Sequence, residues 1–170
     1  MPDLTTEIAE HLDKIKVSYN QKKIQLLNSY INLLDKWNKA YNLTAVRNIE
    51  EMLERHIVDS LSIVSYIEGQ RFIDVGTGPG LPGIPLAIMY PEKSFVLLDS
   101  NGKKTRFLQQ ARLELELANV DIVNDRVENY RPSELFDGVL SRAFSSLEDM
   151  LKNTQHLCND DGHYFAMKGQ

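Results

Sequence analysis

A glycine-rich segment that directly follows an apolar strand is the feature that most constrains the fold of this chain. Residues 72–87 read FIDVGTGPGLPGIPLA. Phe72, Ile73 and Val75 suit a buried parallel strand, and Asp74 stands near its carboxyl end, where open α/β sheets bind ligands. Because the glycines can take positive φ and carry no Cβ, a ligand can lie against their backbone. The segment predicts a strand, a ligand-binding loop and a helix.

Two classes of cofactor fit this loop. The residues from Gly78 to Gly83 match the dinucleotide pattern GxGxxG, which alone is a weak indication. A pyrophosphate needs several backbone N–H donors, whereas Pro79, Pro82 and Pro85 each remove one. S-Adenosylmethionine carries no phosphate, and the carboxylate of Asp74 suits its cationic groups. The residues therefore favour the methyl donor and leave the dinucleotide open.

A second acid follows the next predicted strand. Residues 94–98 are apolar enough for a buried strand, and Asp99 stands 19 positions after Gly80. An acid about 20 residues past the glycines typically accepts hydrogen bonds from ribose hydroxyls. Asp99 therefore supports nucleoside binding without choosing between the two cofactors. The alternative is that Asp99 only caps a helix that starts near Asn101.

Composition limits the class of protein. A length of 170 residues with 42% hydrophobic and 25% charged residues suits one α/β domain with a small appendage. No run approaches the roughly 18 apolar residues of a membrane span, and the N-terminus lacks a secretory signal, so we expect a cytoplasmic protein. Cys158 is the only cysteine, which excludes an internal disulfide and predicts a buried packing residue. The four histidines lack metal-ligand spacing, so no metal is expected.

Residues 1–69 are predicted to form an N-terminal helical subdomain. One helix carries an apolar face that recurs every three or four residues, at Ile24, Leu27, Ile31, Leu34 and Trp37. Ser18 and Gln21 are spaced as a capping box for it. A further helix is predicted over residues 49–67, and the link 40–46 is not helical in pattern.

Residues 70–170 alternate between strand and helix patterns, as in a doubly wound sheet. The predicted strands are 72–75, 94–98, 120–123, 136–140 and 164–167. Ser145 and Glu148 are spaced as a capping box for the helix before the last strand. The pattern predicts an α/β fold with a largely parallel sheet.

Several motifs in one order give a more specific indication. WNKAYNLT, RHIVDS, the glycine loop, LLDS with GKKTRFL, SRAF and a final KG occur between Trp37 and Gly169. The chain resembles the RsmG (GidB) family, which uses S-adenosylmethionine to methylate guanine N7 in 16S rRNA. The resemblance implies a Rossmann-like class I S-adenosylmethionine-dependent methyltransferase sheet with an N-terminal helical extension. Such sheets usually continue with a helix and an antiparallel strand pair, so we expect this one to lack its last strands.

The same resemblance implies roles for single residues. Gly76 and Leu81 would line the cofactor, and Gly78 and Gly80 would shape the loop, beside the acids Asp74 and Asp99 predicted above from their positions. Val127 and Glu128 would flank the adenine, and Arg142 would close the site. Each has an ordinary alternative, since Glu128 suits a surface acid and Arg142 suits an ion pair with Asp74 or Asp99. A dinucleotide-dependent oxidoreductase or a truncated, non-catalytic cofactor-binding module also remains open.

Substrate binding needs a local basic surface, because the net charge of the chain is −5. The predicted RNA contacts are Arg55, His56, Lys103, Lys104, Arg106 and Lys168, to which Lys36, Lys39, Arg47, Arg112, Arg126 and Arg142 are possible additions. A solvated helix face is the alternative for any single lysine. Tyr41 and Asn42 suit contact with a base, although core packing also suits the tyrosine.

The implied reaction needs no general base. Guanine N7 carries a free lone pair, so no proton leaves when it is methylated, and we assign no acid or base; alignment of the reactants would carry the catalysis, with positioning by Arg142. An acidic protein should hold long naked RNA poorly, which favours 16S rRNA within the small ribosomal subunit as the partner. We expect a monomer that binds neither a membrane nor a metal.

Overall fold

Five parallel strands form one sheet in the computed structural model, which describes residues 1–167. The strands are β1 Arg71–Val75, β2 Ser94–Asp99, β3 Val120–Asn124, β4 Phe136–Ser141 and β5 Cys158–Ala166. Their order in the sheet is β3-β2-β1-β4-β5, and all neighbours are parallel. The predicted α/β fold is confirmed, although β5 begins at Cys158 rather than at residue 164. Cys158 is partly rather than fully buried.

The order of the strands determines where a ligand can bind. After β1 the chain adds β2 and β3 on one side, and then returns to add β4 and β5 on the other. The connections that follow β1 and β4 therefore diverge at the carboxyl ends of these two central neighbours. In open α/β sheets this reversal leaves a crevice that holds the ligand. The glycine loop follows β1 and therefore lies at this crevice.

Two long helices begin the chain. They are α1 Thr5–Lys14 and α2 Gln21–Tyr41. The predicted apolar face of α2 is buried from Ile24 to Leu34, while Trp37 is only partly buried. Asn20 begins α2, because its Oδ1 accepts the N–H of Lys23 at 2.9 Å. The capping box predicted for Ser18 and Gln21 is therefore wrong.

The helix predicted over residues 49–67 is instead a series of short pieces. These are α3 Ile49–Met52, a π-helical turn Leu53–Val58, α4 Asp59–Leu61 and a 3₁₀ turn Val64–Tyr66. The predicted start is confirmed, since Asn48 Oδ1 accepts the N–H groups of Glu50 and Glu51 at 2.9 and 3.1 Å. The π turn holds one residue more than an α turn, which changes the direction of the side chains beyond it.

Three helices connect the strands. They are α5 Gly83–Met89, α6 Gly102–Glu114 and α7 Leu147–Thr154. Asn101 caps α6 by accepting the N–H groups of Lys103 and Lys104, so Asp99 is not the cap. Ser146 caps α7 by accepting the N–H of Asp149 at 3.1 Å. The predicted capping box at Ser145 is thus one residue too early.

Helices cover both faces of the sheet. On one face Phe72 and Phe95 stack at 5.3 Å between centroids and join α1, α2, α5 and α6 in one hydrophobic cluster. On the other face Ile73 and Val75 pack with Met150 of α7. Each fully buried side chain of this size contributes roughly 1.5–3 kcal/mol. Within residues 1–167 no helix has the length and apolar character needed to cross a membrane.

Candidate functional site

The loop between β1 and α5 uses its own backbone donors. Each of the seven N–H groups from Gly76 to Ile84 donates within the protein, and the acceptors are the carbonyl oxygens of Leu98, Thr77 and Gly80 and the carboxylates of Asp74 and Asp99. Pro79 and Pro82 carry no N–H. A pyrophosphate held in the dinucleotide manner needs free backbone donors at this place and would find none.

Asp74 holds the loop from behind. Its Oδ2 accepts the hydroxyl of Thr77 at 2.7 Å and the N–H of Gly83 at 2.8 Å. The side chain is fully buried, and its Oδ1 has no hydrogen-bond partner among the described residues. Burial raises the pKa of Asp74 to about 8, although the two hydrogen bonds oppose the rise. The carboxyl group is therefore largely protonated at neutral pH.

Asp99 connects the end of β2 to the same loop. Its Oδ2 accepts the N–H of Gly78 at 2.8 Å and its Oδ1 accepts the N–H of Asn101 at 2.9 Å. A carboxylate oxygen can accept two hydrogen bonds, so each oxygen retains capacity for a ligand hydroxyl. This arrangement is compatible with the predicted contact to a ribose.

Two cavities adjoin at the carboxyl ends of the strands. We call the first the strand-end cavity; it has a volume of about 210 Å³ and is lined by Asp99, Val127, Glu128 and Phe144, among others. The second, the loop cavity, has a volume of about 310 Å³ and is lined by residues of the glycine loop and of the segment 43–46. Gly76 and Ala143 line both. A molecule that passes over Gly76 would occupy both cavities.

The backbone at Gly76 and Gly78 explains why this passage is open. Gly76 has φ of +66°, and a Cβ there would lie 2.5 Å from Cβ of Ala143. Gly78 has φ of +62°, and nothing lies within 4 Å of the place where its Cβ would be. Both glycines therefore provide a smooth surface for a ligand. Gly80 lies behind the loop against Ile84. Neither Gly80 nor Asp74 lines either cavity.

The strand-end cavity combines apolar and acidic groups. Val127 and Phe144 provide apolar surface, and the carboxylates of Asp99 and Glu128 stand at the wall. His156 Nε2 lies 3.0 Å from the carbonyl oxygen of Val127 and supports that wall from behind. Glu128 forms an exposed pair with Arg126 at 3.8 Å. A flat base between apolar groups, with its ribose against an acid, suits this cavity.

Positive side chains line the loop cavity. Arg55, Lys104 and Arg142 are among its lining residues, together with Leu81. Arg142 pairs with Asp59 of α4 at 3.9 Å, so the alternative pairing with Asp74 or Asp99 is wrong. This pair connects the end of β4 to α4 of the N-terminal part. Arg55 also lies 4.0 Å from Glu51.

His56 lines the same cavity as a neutral ring. Its Nε2 lies 2.8 Å from the hydroxyl of Thr44, which also lines this cavity. Burial, together with the positive charges of Arg142 and Arg55, lowers the pKa of His56 to about 4. His56 therefore adds no charge to the predicted basic surface at neutral pH.

Other predicted contacts lie outside the cavities. Lys103 and Arg106 are exposed on α6 next to Lys104. Arg112 instead donates to the carbonyl oxygen of Val120 at 2.6 Å, which holds it against β3. Lys39 pairs with Asp35 on α2. Lys168 lies outside the described residues.

Several lining residues carried no assigned role in the sequence. Thr44, Ala45 and Val46 form one wall of the loop cavity, and Asp59 holds Arg142. Ala143 and Phe144 follow Arg142 in the SRAF motif and line the strand-end cavity. Asp59 belongs to the motif RHIVDS, and Ala143 and Phe144 belong to the motif SRAF. Only the fold brings these two motifs together.

The donor set fits S-adenosylmethionine better than a dinucleotide. The loop has no free backbone donor for a pyrophosphate, whereas Asp99 and Glu128 suit a nucleoside. Because Gly76 has no side chain, there is room beside it for the sulfur that joins the adenosine to the amino acid part of S-adenosylmethionine. In residues 1–167 no group of three or more His, Cys, Asp or Glu side chains is arranged to hold a metal ion.

Solved structures share this fold. Coclaurine N-methyltransferase bound to N-methylheliamine and SAH superposes with a TM-score of 0.54 at 14% identity, over 95% of this chain and 58% of that chain. An S-adenosylmethionine-dependent methyltransferase from Thiobacillus denitrificans in complex with S-adenosyl-L-homocysteine gives 0.53 at 13% identity, over 76% of this chain and 52% of that chain. These similarities concern the fold alone.

Sequence relatives are much more similar. Ribosomal RNA small subunit methyltransferase G of Shewanella frigidimarina is 54% identical over 98% of this chain and 81% of its own length. The proteins of the same name from Pseudomonas aeruginosa and Hydrogenovibrio crunogenus are 56% and 59% identical, over 96% and 89% of this chain and 77% and 70% of their own lengths. The GidB family model, described as rRNA small subunit methyltransferase G, matches residues 23–170. The chain therefore belongs to the rRNA small subunit methyltransferase G family.

Proposed function

We propose that this protein transfers a methyl group from S-adenosylmethionine to N7 of a guanine in 16S rRNA. Membership of the family supports methylation of small-subunit rRNA. The observation that carries the assignment of the site is the meeting of two cavities at Gly76 and Ala143, one with acids suited to a nucleoside and one lined by cations. The first cavity would hold the adenosine, and the second would hold the reacting groups and the guanine.

Each predicted cofactor residue has a physical task in this proposal. Asp99 would accept the ribose hydroxyls, and Val127 with Glu128 would flank the adenine. Gly76, Gly78 and Leu81 would lie along the remainder of the cofactor. Asp74 and Gly80, which line neither cavity, would act by holding the loop in shape.

Chemistry in the loop cavity would depend on position and charge. The bound cofactor supplies an electrophilic methyl group on a sulfonium. Guanine N7 offers a lone pair, so the protein has only to align the base and to tolerate a positive charge on the purine. Arg142 is already paired with Asp59, which offsets its charge near the base. His56 is neutral and its Nε2 is paired with the hydroxyl of Thr44, so it would shape the cavity rather than remove a proton.

The rate should depend little on pH in the range where histidines usually titrate. His56, with a pKa of about 4, is neutral throughout, and no proton leaves guanine N7. Single-turnover rates between about pH 5.5 and 7.5 should therefore agree within about twofold. A sharp loss of rate at a single ionisation in this range would argue for a general base and against the mechanism.

The surface around the loop cavity would bind RNA. Arg55 and Lys104 at the cavity, with Lys103 and Arg106 on the exposed side of α6, would contact phosphates, and Lys168 stays a prediction from the sequence. The net charge of −5 leaves little basic surface elsewhere. The proposed target is therefore a structured small ribosomal subunit in the cytoplasm, on which the protein acts as a monomer.

A methylation assay tests the proposed function. Small subunits that lack this modification would be incubated with the protein and with S-adenosylmethionine labelled on its methyl group. The expected product is 7-methylguanosine at one position of 16S rRNA. Label in another nucleoside, or in none, would overturn the proposal. Arg142→Ala should lose activity, whereas Arg131→Ala, which alters an exposed arginine outside both cavities, should keep it.

The form of the substrate can be tested in the same assay. Intact small subunits, partly assembled particles and protein-free 16S rRNA would be compared at equal concentrations. We expect the highest kcat/KM on a particle that contains protein. Equal values on all three would contradict the proposal that assembled structure presents the guanine.

A further inference from the structure

An exposed aromatic ring lies where α2 ends. Tyr41 is the last residue of α2 and is 48% exposed, so the alternative of core packing for this tyrosine is wrong. Asn42 follows in the left-handed conformation and turns the chain away from the helix. The next residues, Leu43 to Val46, line the loop cavity. Tyr41 therefore stands beside the cavity proposed for the guanine.

The ring of Tyr41 has firm support. Trp37 lies beneath it with 5.2 Å between ring centroids, and Trp37 in turn meets the edge of Phe107 at 5.7 Å. Phe107 is fully buried in α6. A continuous series of three rings thus runs from the core to the surface. A ring held in this way loses little freedom when a flat group stacks on its outer side.

The surroundings of Tyr41 carry positive charge. Lys104 is three residues before Phe107 on α6 and lines the loop cavity, so the start of α6 and the end of α2 meet at the same rim. Arg47 donates to the side-chain oxygen of Asn42 and to the carbonyl oxygen of Asn38, which holds a second cation next to the tyrosine. An exposed ring near these two cations matches single-stranded RNA, whose bases stack and whose phosphates are negative.

We infer that Tyr41 is a stacking platform for a base that neighbours the target guanine in single-stranded rRNA. The inference rests on the proposed function. A guanine that enters the loop cavity must leave the stack of its neighbours, which costs stacking energy. A neighbouring base that moves onto Tyr41 recovers part of this cost and fixes the position of the RNA strand relative to the cavity. Tyr41 thus contributes to substrate binding rather than to methyl transfer.

Steady-state kinetics on small ribosomal subunits test the platform. Tyr41→Leu keeps apolar contact with Trp37 but removes the aromatic face, and it should raise KM for the subunit roughly 5- to 100-fold. We expect kcat to change by less than about twofold and the affinity for S-adenosylhomocysteine to stay unchanged, because Tyr41 lines neither cavity. Tyr41→Phe and Tyr41→Trp keep an aromatic face and should restore the low KM.

Tyr66→Leu is the matched control, since Tyr66 is also exposed, at 69%, but lines neither cavity. Its KM should equal that of the wild type. An unchanged KM for Tyr41→Leu, or an equal loss in Tyr41→Phe, would overturn the inference while leaving the proposed function intact. An inactive wild type would overturn the proposed function and the inference with it. Circular dichroism would verify that every variant is folded.

Discussion

At the scale of single residues, Asp99 has two tasks that one carboxylate can perform together. Its two oxygens each accept a backbone N–H, from Gly78 and from Asn101, and Asp99 lines the strand-end cavity proposed for the ribose. An amide can accept at only one of these positions, because its NH₂ would meet a donor at the other. Asp99 therefore shapes the loop and binds the ligand at once.

Asp99→Asn should weaken binding of S-adenosylhomocysteine at least tenfold, about 1.4 kcal/mol. Isothermal titration calorimetry would measure the affinity. Asp125→Asn is the control, because Asp125 lines the same cavity but, among residues 1–167, accepts only the N–H of Arg126. Nicotinamide dinucleotides titrated alongside should give no heat of binding. Saturable dinucleotide binding by the wild type would contradict the assignment of the cofactor.

Asp74 makes stability depend on pH above neutrality. Unfolded Asp74 loses its proton near 3.8, whereas burial raises the folded pKa to about 8, so the folded state binds more protons between these values. Stability should therefore fall as pH rises through this window. His56 acts in the opposite direction, because its folded pKa of about 4 lies below its ordinary value of 6.5, and its stabilisation is lost as pH falls from 6.5 towards 4.

Of these two effects on stability, only that of Asp74 acts above pH 6.5. We expect the free energy of unfolding of the wild type to fall by about 1–2 kcal/mol between pH 6.5 and pH 8. Asp74→Asn, which cannot ionise, should be flat over the same range. Denaturant titrations at several pH values would measure both. A wild-type free energy as flat as that of Asp74→Asn would show that Asp74 is ionised in the folded protein.

Residues within one motif could be predicted from the sequence, because neighbours along the chain define the motif. Gly76, Leu81 and Asp99, which their motifs predict as cofactor residues, line the cavities. Thr44 and Asp59 could not be predicted in this way, since their contacts depend on where α2 and α4 pack against the sheet. The depressed pKa of His56 likewise follows from burial, which the sequence does not report.

At the scale of elements, one hydrogen bond connects α2 to the glycine loop. The hydroxyl of Tyr30, fully buried in α2, donates to the carbonyl oxygen of Pro79 at 2.8 Å. The helical extension therefore holds the shape of the loop that the cofactor must contact. This gives α2 a direct effect on cofactor binding, although no residue of α2 lines the strand-end cavity or the loop cavity.

Tyr30→Phe should lower stability by about 1 kcal/mol and weaken the affinity for S-adenosylhomocysteine several-fold. Tyr90→Phe is the matched control, because the hydroxyl of Tyr90 also donates to a backbone carbonyl, that of Val64, at 2.8 Å but away from both cavities. It should lose stability without losing affinity. Calorimetry and denaturant unfolding would separate the two effects, and an equal loss of affinity in both variants would refute the connection.

Elements were predictable where the hydrophobic period was long and clear. All five strands and α2 follow from such patterns, except for residues 158–163 of β5, which are mostly polar. The caps were predicted one or two residues away from Asn20 and Ser146, because Ser, Asn and Gln offer several plausible caps in a short polar stretch. The π turn after α3 keeps an apolar stripe that resembles that of an α-helix, so the sequence pattern predicted one continuous helix.

At the scale of the whole molecule, the N-terminal helices and the sheet share one hydrophobic cluster. It extends from Leu4 in the N-terminal segment to Leu140 in β4. We propose that residues 1–69 and 70–170 are two structural parts of a single folding unit. Removal of the helices would expose the apolar face of α5 and α6 to water.

The two parts should unfold in one transition. Trp37 is the only tryptophan, and it lies between α2 and Phe107 of α6, so its fluorescence reports on their interface. Far-ultraviolet circular dichroism reports on the helices throughout the chain. The two thermal transitions should coincide within about 1–2 °C. A fluorescence transition well below the other would show that the helical part separates first.

Because of the π-helical turn Leu53–Val58, the number of residues between Asn48 and Asp59 determines where Asp59 points. A π turn is equivalent to an α-helix with one inserted residue, and the loss of that residue would rotate the following positions by about 100°. Asp59 would then face away from Arg142. A single deletion among homologues could thus exchange the partner of a site arginine while every residue that touches the cavity remained identical. Counting residues between Asn48 and Asp59 would reveal such a change, whereas comparing residue identities would not.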